Sequence, residues 1–568
     1  MTAGSPAVTE VSTLKTAQHP MSRRKQLAEN SGFYDYIIVG AGTAGCLLAN
    51  RLTASGKHRV LLLEAGGKDD YLWIHIPVGY LYCIDNPRTD WCYKTDPEAG
   101  LGGRQIGYAR GKVLGGCSSI NAMVYMRGQA RDYDLWSELG NAGWSWKDVL
   151  PYFMRHEDFV HGEDDEHHAG GEWRIEEQRL HWPILDVFRD ACVEVGIPAT
   201  ADFNRGNNSG VGYFQVNQRR GVRVNASKAF LRPARNRSNL TVVTHAHAKR
   251  ILFRCGQATG VAFDQSDTDV IAHLNDGGEV ILAAGAIGSP QLLELSGVGQ
   301  GARLQNYAIP VVLDRHGVGE NLQDHLQVRL TYKVSNALTL NHLASKLSGK
   351  ARIALQYAFL RRGPMSMAPS QLGAFAKSDP SQEMPNLQYH AQPLSLDRFG
   401  EPLHRYPAIT ASVCNLRPAS RGSVHLVSPD FRNHPSIRPN YLDHPRDRQV
   451  AVDAVRLTRR IMATNAFKPY MPEEVLPGAH LDTDEELALA AGNIATTIFH
   501  PVGTARMGQD RNSVVDERLR VHGIDGLRIV DASVMPTITS GNTNAPTLMI
   551  AEKGASMILD DRRSAISV

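Results

Sequence analysis

The 568-residue chain contains no apolar run near the ~18 to 20 residues needed to cross a bilayer, and its first thirty residues lack the apolar core of a secretory signal. The expectation is a cytoplasmic protein, with peripheral contact at the inner membrane left open. CxxC pairs are missing too: Cys46, Cys83, Cys92, Cys117, Cys192, Cys255 and Cys414 are scattered, odd in number and not spaced with histidines as in a zinc site. They read as reduced thiols, and no metal is expected. There is no basic run beyond Arg23-Arg24-Lys25, and 61 Lys+Arg against 58 Asp+Glu leave a charge of +3, so nothing points to nucleic acid. No GxSxG elbow stands in a strand–turn–helix setting, which sets aside a nucleophilic hydrolase. Tandem repeats and low-complexity tracts are likewise absent. What remains is a globular composition, 42 % hydrophobic and 21 % charged, on a chain long enough for two or more interleaved domains. Residues 1–33, rich in Ser, Thr and Lys, are expected to be a disordered extension, within which Met21 is an alternative start.

Residues 34–67, YDYIIVGAGTAGCLLANRLTASGKHRVLLLEAGG, read as strand, glycine turn, helix and strand. Gly40, Gly42 and Gly45 form GxGxxG, and an acid, Glu64, follows at the end of the second strand. A lone GxGxxG is a weak signal; this one follows a strand and opens a helix, which makes it specific. Gly40 permits the tight turn, Gly42 removes a side chain where backbone must approach a pyrophosphate, and Gly45 lets helix and strand pack closely. The helix N-terminus offers unpaired N–H groups to the phosphates, and Glu64 would accept hydrogen bonds from the ribose hydroxyls. The bland alternative is an ordinary βαβ turn with a surface glutamate. On these residues alone the dinucleotide could carry a nicotinamide or a flavin.

Further stretches fit the same domain. GKVLGGCSSINAMVYMRG, residues 111–128, holds small residues that let backbone amides face a phosphate or a ring, although a Gly/Ser-rich loop can be only a loop. GEVILAAGAIGSPQLLELSGVG, 278–299, reads as a strand, a small-residue turn and a helix ending at Gly297. Residues 331–416 have mixed periodicity, with an amphipathic helix at Leu347–Leu360, read as a core helix or active-site lid rather than a membrane contact. ASVCNLRPASRGSVHL, 411–426, suggests two short strands around an Arg-Gly turn. GLRIVDASVMPTITSGNTNAPTLMIAEKGA, 526–555, runs strand, polar loop and helix, the helix opening near Asn544-Ala545-Pro546, where proline is tolerated in the first turn.

Together these pieces resemble the glucose-methanol-choline (GMC) oxidoreductases over nearly the whole chain after residue 34. The resemblance rests on GAGTAG with Glu64, GKVLGGCSSIN, GAIGSPQLLELSGVG followed by GVGENLQDH (317–325), and FHPVGTARMG followed by DASVMPTITSGNTNAPTLMIAEK, in that order. It implies an α/β fold, a Rossmann-like FAD-binding domain interleaved with a substrate domain on a mostly antiparallel sheet. The divisions it suggests are 34–330 for the FAD-binding region with insertions, 331–416 for substrate binding, 417–556 for a C-terminal region with the catalytic pair, and 557–568 for a tail. Within the family the chain looks most like the bacterial alcohol and choline dehydrogenases, yet Val502-Gly503-Thr504-Ala505 replaces the Ser/Cys-rich run usual in choline dehydrogenases. Some members attach FAD through a histidine in the GGCSSxN loop; this chain has Ile120 there, so non-covalent FAD is expected.

The resemblance also assigns a catalytic pair, His500 in TIFHPVGTARMG and Asn544. Oxidising an alcohol removes a hydride, for which the flavin is the acceptor, and a hydroxyl proton, for which imidazole is a suitable base near pH 7. Asn544 can donate to the substrate oxygen and stabilise developing alkoxide charge, besides capping a helix. By family position Val113 to Gly116 and Asn121 would line the flavin, Ala248 would face the adenine, and Asp531, Ala532, Asn542 and Thr543 would hold the pyrophosphate or ring. Loop capping is the plain alternative for the asparagines and Asp531, and an ordinary strand position for Ala248. His325, in NLQDH, reads as structural, and Phe499 as a pocket wall or a core residue. The implied partners are a primary alcohol and an electron acceptor, either a quinone-like carrier or oxygen; an inactive flavin-binding scaffold is disfavoured by the presence of both His500 and Asn544.

Overall fold

In the computed structural model of the protein, residues 29–397 and 401–566 are described. β1 (Glu29–Val39) and β2 (Val60–Glu64) run parallel with α1 (Thr43–Thr53) between them, and β3 (Leu240–Thr244) continues the parallel set beyond β2, ending with Glu64 opposite Thr244. The apolar runs at 36–39 and 60–63 suit this place because a parallel sheet is covered on both faces. α1 presses Cys46, Leu47, Leu48 and Leu52 onto it, all without solvent contact. After β4 (Ala246–Arg254) and β5 (Gln257–Gln265), the long β6 (Thr268–Leu282) returns beside β1 and plays two parts. Its first half pairs antiparallel with β5, and its second half pairs in parallel with the strand Leu527–Ile529. The strand order is therefore β3-β2-β1-β6, flanked by β5-β4 and by Leu527–Ile529.

Two terminal expectations need correction. Glu29–Phe33 lie inside β1, in register with Val270–His273, so backbone pairing draws them into the sheet and out of the predicted extension; the remainder of that extension, 1–28, lies outside the described residues. At the other end, the segment from 557 continues α5 (Asn544–Ile566) as helix rather than forming a separate tail. That helix packs against α1.

The second sheet is antiparallel. It is built on β7 (Leu326–Lys333), β8 (Leu372–Ala376), β9 (Leu387–Gln392) and β10 (Ala408–Asn415), in the order β7-β10-β9-β8. Gly210–Tyr213 extends it beyond β8, while Glu473–Leu476 and Thr496–Thr497 pair with β7, so the sheet reaches beyond 331–416 in both directions. Every residue of β8 and β9 is buried, because the two faces meet different partners. Period-two alternation sends Tyr389 toward α4 (Pro445–Met462), where its hydroxyl meets Thr458, and sends His390 and Gln392 into a large cavity between the two sheets.

The strands expected within 411–426 exist but do not form a hairpin. Ala408–Asn415 belongs to the large sheet, whereas Ser423–His425 pairs with Ser436–Arg438, because Asp447 holds the backbone of Ala419 and Ser420 between them. The helix Leu347–Leu360, α3, forms as expected but is not a core helix, since Tyr357 is its one buried residue. Among the described residues no helix is long and apolar enough to cross a membrane.

Candidate active site between the two sheets

One end of the cavity is made of backbone. Gly40 has φ +101°, and a Cβ there would stand 2.6 Å from the Ala283 carbonyl oxygen; a Cβ on Gly45 would stand 1.8 Å from the Gly40 oxygen. Both positions exclude side chains for the reasons the motif predicts. Gly42 differs: its Cβ would meet only Gly116, at 3.9 Å, so it opens onto the cavity. No side chain caps α1 and no acid occupies its first turn, which leaves its leading amides for an anion. Glu64 sits beside them, accepting from Ala41 N at 2.9 Å and Gly66 N at 2.8 Å, and burial pushes its carboxyl up to about 7. Ala246, His247 and Ala248 complete this end. The glycine cradle, uncapped helix and buried acid fit a dinucleotide.

The other end is made of side chains. His500 Nε2 faces the Asn542 amide at 3.1 Å, and its Nδ1 lies 3.0 Å from His325 Nδ1. The outer nitrogen of His325 is 3.2 Å from the Leu416 carbonyl, which can only accept. These neighbours fix the tautomers. His325 carries its proton on Nε2 and accepts at Nδ1 from His500 Nδ1–H, leaving His500 Nε2 without a proton, its lone pair accepting from Asn542 Nδ2. Burial, with His325, His390 and Arg110 nearby, holds His500 well below the usual imidazole value; burial holds His325 at about 4. Both rings are neutral at pH 7.

Asp324 holds this pair in place. Its carboxylate accepts from Tyr108, Tyr441 and Thr497 hydroxyls and from the backbone amides of His325 and His500, the last at 2.7 Å. Phe499 is forced to φ +66°, a left-handed conformation costly for an aromatic residue, and Arg110 pins its carbonyl. The bend places Phe499 in the cavity wall. Asn544 opens α5 at the same end. Its Oδ1 accepts from Thr43 at 2.8 Å, which turns its Nδ2, buried and without a protein partner, toward the cavity that the residue lines.

The predicted residues are thus mostly brought together: Gly40, Gly42, Glu64, Gly116, Asn121, Ala248, Asp531, Ala532, Asn542, Thr543, Asn544 and His500 all line one cavity. Gly45 lies behind the turn. Val113 is not in the lining; it packs with Ile74, Cys83 and Ile120 in a small apolar cluster. Asp531 has its carboxylate occupied by Gly285 N, Ser289, Ser533 N and the Ser533 hydroxyl, so it anchors the walls, as a capping residue does. Asn121 likewise accepts from Arg223 and Met123 N. Sequence reasoning missed the contact of Asn542 with His500 and the part of His325. The NLQDH motif was the available signal, but nothing in its spacing says that it folds against residue 500. Among the described residues no group of three or more His, Cys, Asp or Glu is placed to share an ion.

Two family models described as GMC oxidoreductase match residues 34–327 and 418–551. The chain belongs to the GMC oxidoreductase family. It is 40 % identical to an alcohol dehydrogenase [acceptor] of Pseudomonas putida, over 93 % of this chain and 96 % of that protein. It is 41 % identical to an oxygen-dependent choline dehydrogenase of Photobacterium profundum, over 93 % of each. An FAD-dependent oxidoreductase of Chaetomium thermophilum superposes with a TM-score of 0.85 at 27 % identity, covering 93 % of this chain and 100 % of that one. The GMC assignment makes the chain a flavin oxidoreductase acting on alcohol-like CH–OH substrates, with a Rossmann-type domain beside the antiparallel sheet.

Proposed function

We propose that the protein oxidises an uncharged primary alcohol to an aldehyde, with non-covalent FAD, His500 as general base and Asn544 as the donor to the substrate oxygen. The observation that carries the proposal is the hydrogen-bond chain from the Leu416 carbonyl through His325 to His500, which leaves His500 Nε2 at the substrate end of the cavity without a proton and accepting from Asn542. FAD, when bound, supplies the hydride acceptor. The substrate hydroxyl takes the place of the Asn542 amide on Nε2 and gives up its proton there, and His325 continues to accept from Nδ1–H as charge forms on the ring. Asn544 Nδ2, oriented by Thr43, meets the oxygen as it becomes an alkoxide.

The preference for an uncharged alcohol rests on the lining. Glu64 and Asp531 are the acids that face the cavity, and both belong to the dinucleotide end. At the substrate end Gln327, His390 and Gln392 are uncharged, with His390 held near 3 by burial and both its ring nitrogens without a partner, and Arg110, which donates to the Phe499 carbonyl, is a cation that would repel an ammonium. A quaternary ammonium would meet Tyr80 and Phe499 without a carboxylate. Ile120 lines the cavity with hydrocarbon and cannot bond to the flavin, so acid precipitation should leave the flavin in the supernatant.

Anaerobic flavin bleaching with a panel of aliphatic and aromatic primary alcohols and choline tests the reading. Fast bleaching by neutral alcohols and slow bleaching by choline are expected, and the reverse order would overturn the substrate class. We further propose a quinone-like carrier as the electron acceptor; dye-linked turnover without peroxide is the expected result, and peroxide formed at the same rate would make the protein an oxidase.

A further inference from the structure

α3 is built inside out. Leu347, Ala351, Leu355 and Phe359 follow one another at i, i+4, i+8 and i+12, and Ala354 and Ala358 lie alongside, so one helix face is apolar. That face points away from the protein: Leu347 is 85 % exposed, Leu355 57 % and Phe359 82 %. The helix is tethered from its opposite side, where the Tyr357 hydroxyl donates to the Gly221 carbonyl. Exposure of three large side chains on one face of a short helix forgoes the burial that ordinarily stabilises such a helix, so the face requires another apolar phase.

The charge around the face says which. From Lys333 to Lys377 the chain has no Asp or Glu and seven Lys or Arg. Lys346 and Lys350 stand at the start of α3, Arg352 beside the apolar ridge, and Arg361 and Arg362 at its end. Among the described residues Lys346, Lys350, Arg352 and Arg362 form no ion pair. An apolar face rimmed by unpaired cations matches a bilayer surface with anionic headgroups, where the apolar side chains enter the acyl boundary and the basic ones meet phosphate.

We propose that α3 docks the protein on anionic lipid. The position is consequential, because the chain leaves α3 through the turn Pro364–Ser366, which packs on Pro77–Tyr82, and within a few residues reaches Pro369 and Ser370 in the cavity wall. Docking there sets that wall beside the membrane, where apolar alcohols and lipid-soluble acceptors partition. The inference rests on the exposed helix and stands whatever alcohol is oxidised.

The test is flotation of the FAD-loaded protein with vesicles of phosphatidylcholine alone or mixed with phosphatidylglycerol. Flotation with the mixed vesicles that weakens in high salt is expected. The double variant Leu355→Ser, Phe359→Ser and the single variant Arg352→Glu should each lower the bound fraction, the latter about tenfold, while flavin content and dye-linked turnover stay at the wild-type level. Absence of flotation with anionic vesicles, or binding that these variants do not change, would overturn the proposal. So would a dimer in light scattering that the double variant converts to monomer, which would make a second copy the occupant of the face.

Discussion

At the dinucleotide end of the cavity the decisive positions, Gly40, Gly42, Gly45 and Glu64, sit in one strand–helix–strand unit; at the histidine end Asp324, His325, Leu416, His500 and Asn542 come from four separated stretches of chain. The first end works by removing side chains so that backbone amides can reach a ligand. The second works by accumulating side chains, each fixed by the next. A backbone site tolerates change in what surrounds it but not at its glycines. A side-chain relay distributes its sensitivity over residues that never touch substrate, and graded losses should separate the two.

The largest loss is expected for His500→Ala. Removing the proton acceptor should slow substrate reduction of the flavin about 10²- to 10⁴-fold while FAD stays bound, because the dinucleotide end is untouched. Stopped-flow bleaching measures this, and a normal rate would remove His500 from the chemistry. Asn544→Ala should follow, with turnover down about 10²-fold; the Thr43 hydroxyl also loses its acceptor, so a modest fall in melting temperature, corresponding to about 1 kcal/mol, accompanies it. His325→Ala comes next, an expected fall of about tenfold in kcat with KM nearly constant, because His325 positions the base and fixes its tautomer. His325→Gln, which keeps an acceptor for Nδ1–H, should recover part of that loss; no recovery would mean that His325 only fills space.

Gly45→Ala probes the other end. Its methyl group would collide with the Gly40 oxygen, and an overpacked contact of that kind costs about 1 to 3 kcal/mol. Lower thermal stability and lower flavin content are expected, with turnover per bound flavin unchanged. A drop in turnover per flavin would show that the two ends are not separable.

These opposite constructions also explain what could be read in the sequence. The glycine turn, α1, Glu64 and the β6–α2 return (α2, Gly285–Leu295) were legible because local geometry requires them to be contiguous. The antiparallel sheet and the place of His500 and Asn544 on one cavity were legible only through family likeness, since strands from 210 and 473 join a sheet centred elsewhere and the two residues lie on different elements. The His325–His500 contact was not legible at all: a buried histidine with a histidine neighbour has no spacing signature. Asn542 and Asp531, which carried the same expectation, part company for the same reason. Either can line a cofactor or hold a wall, and only the fold shows that Asp531 is saturated while Asn542 reaches the base. The exposure of α3 was hidden too, because an apolar stripe at helical spacing looks the same whether it faces in or out.

The smallest expected effects are those of pH, and they differ in sign at the two ends. His325 is held at about 4 and His500 well below its usual value, so the unfolded chain binds more protons than the folded one below about pH 6.5. Their stabilising contribution is full above that pH and is lost as the pH falls toward the folded values. Glu64, pushed up to about 7, runs the other way: between about 4.5 and 7 the folded protein holds the extra proton, so stability is lost as the pH rises through that window. Thermal melts of the flavin-free protein across pH 4 to 8 should show Glu64→Gln flattening the decline toward neutrality and His325→Gln flattening the decline in acid. Activity should stay level from pH 8 down through about pH 6.5 and fall only in more acid solution, since burial keeps the base neutral well below its usual value. A rise in activity from pH 6.5 to 8 would mean that His500 titrates in that range, and that the burial which distinguishes the side-chain end does not control its charge.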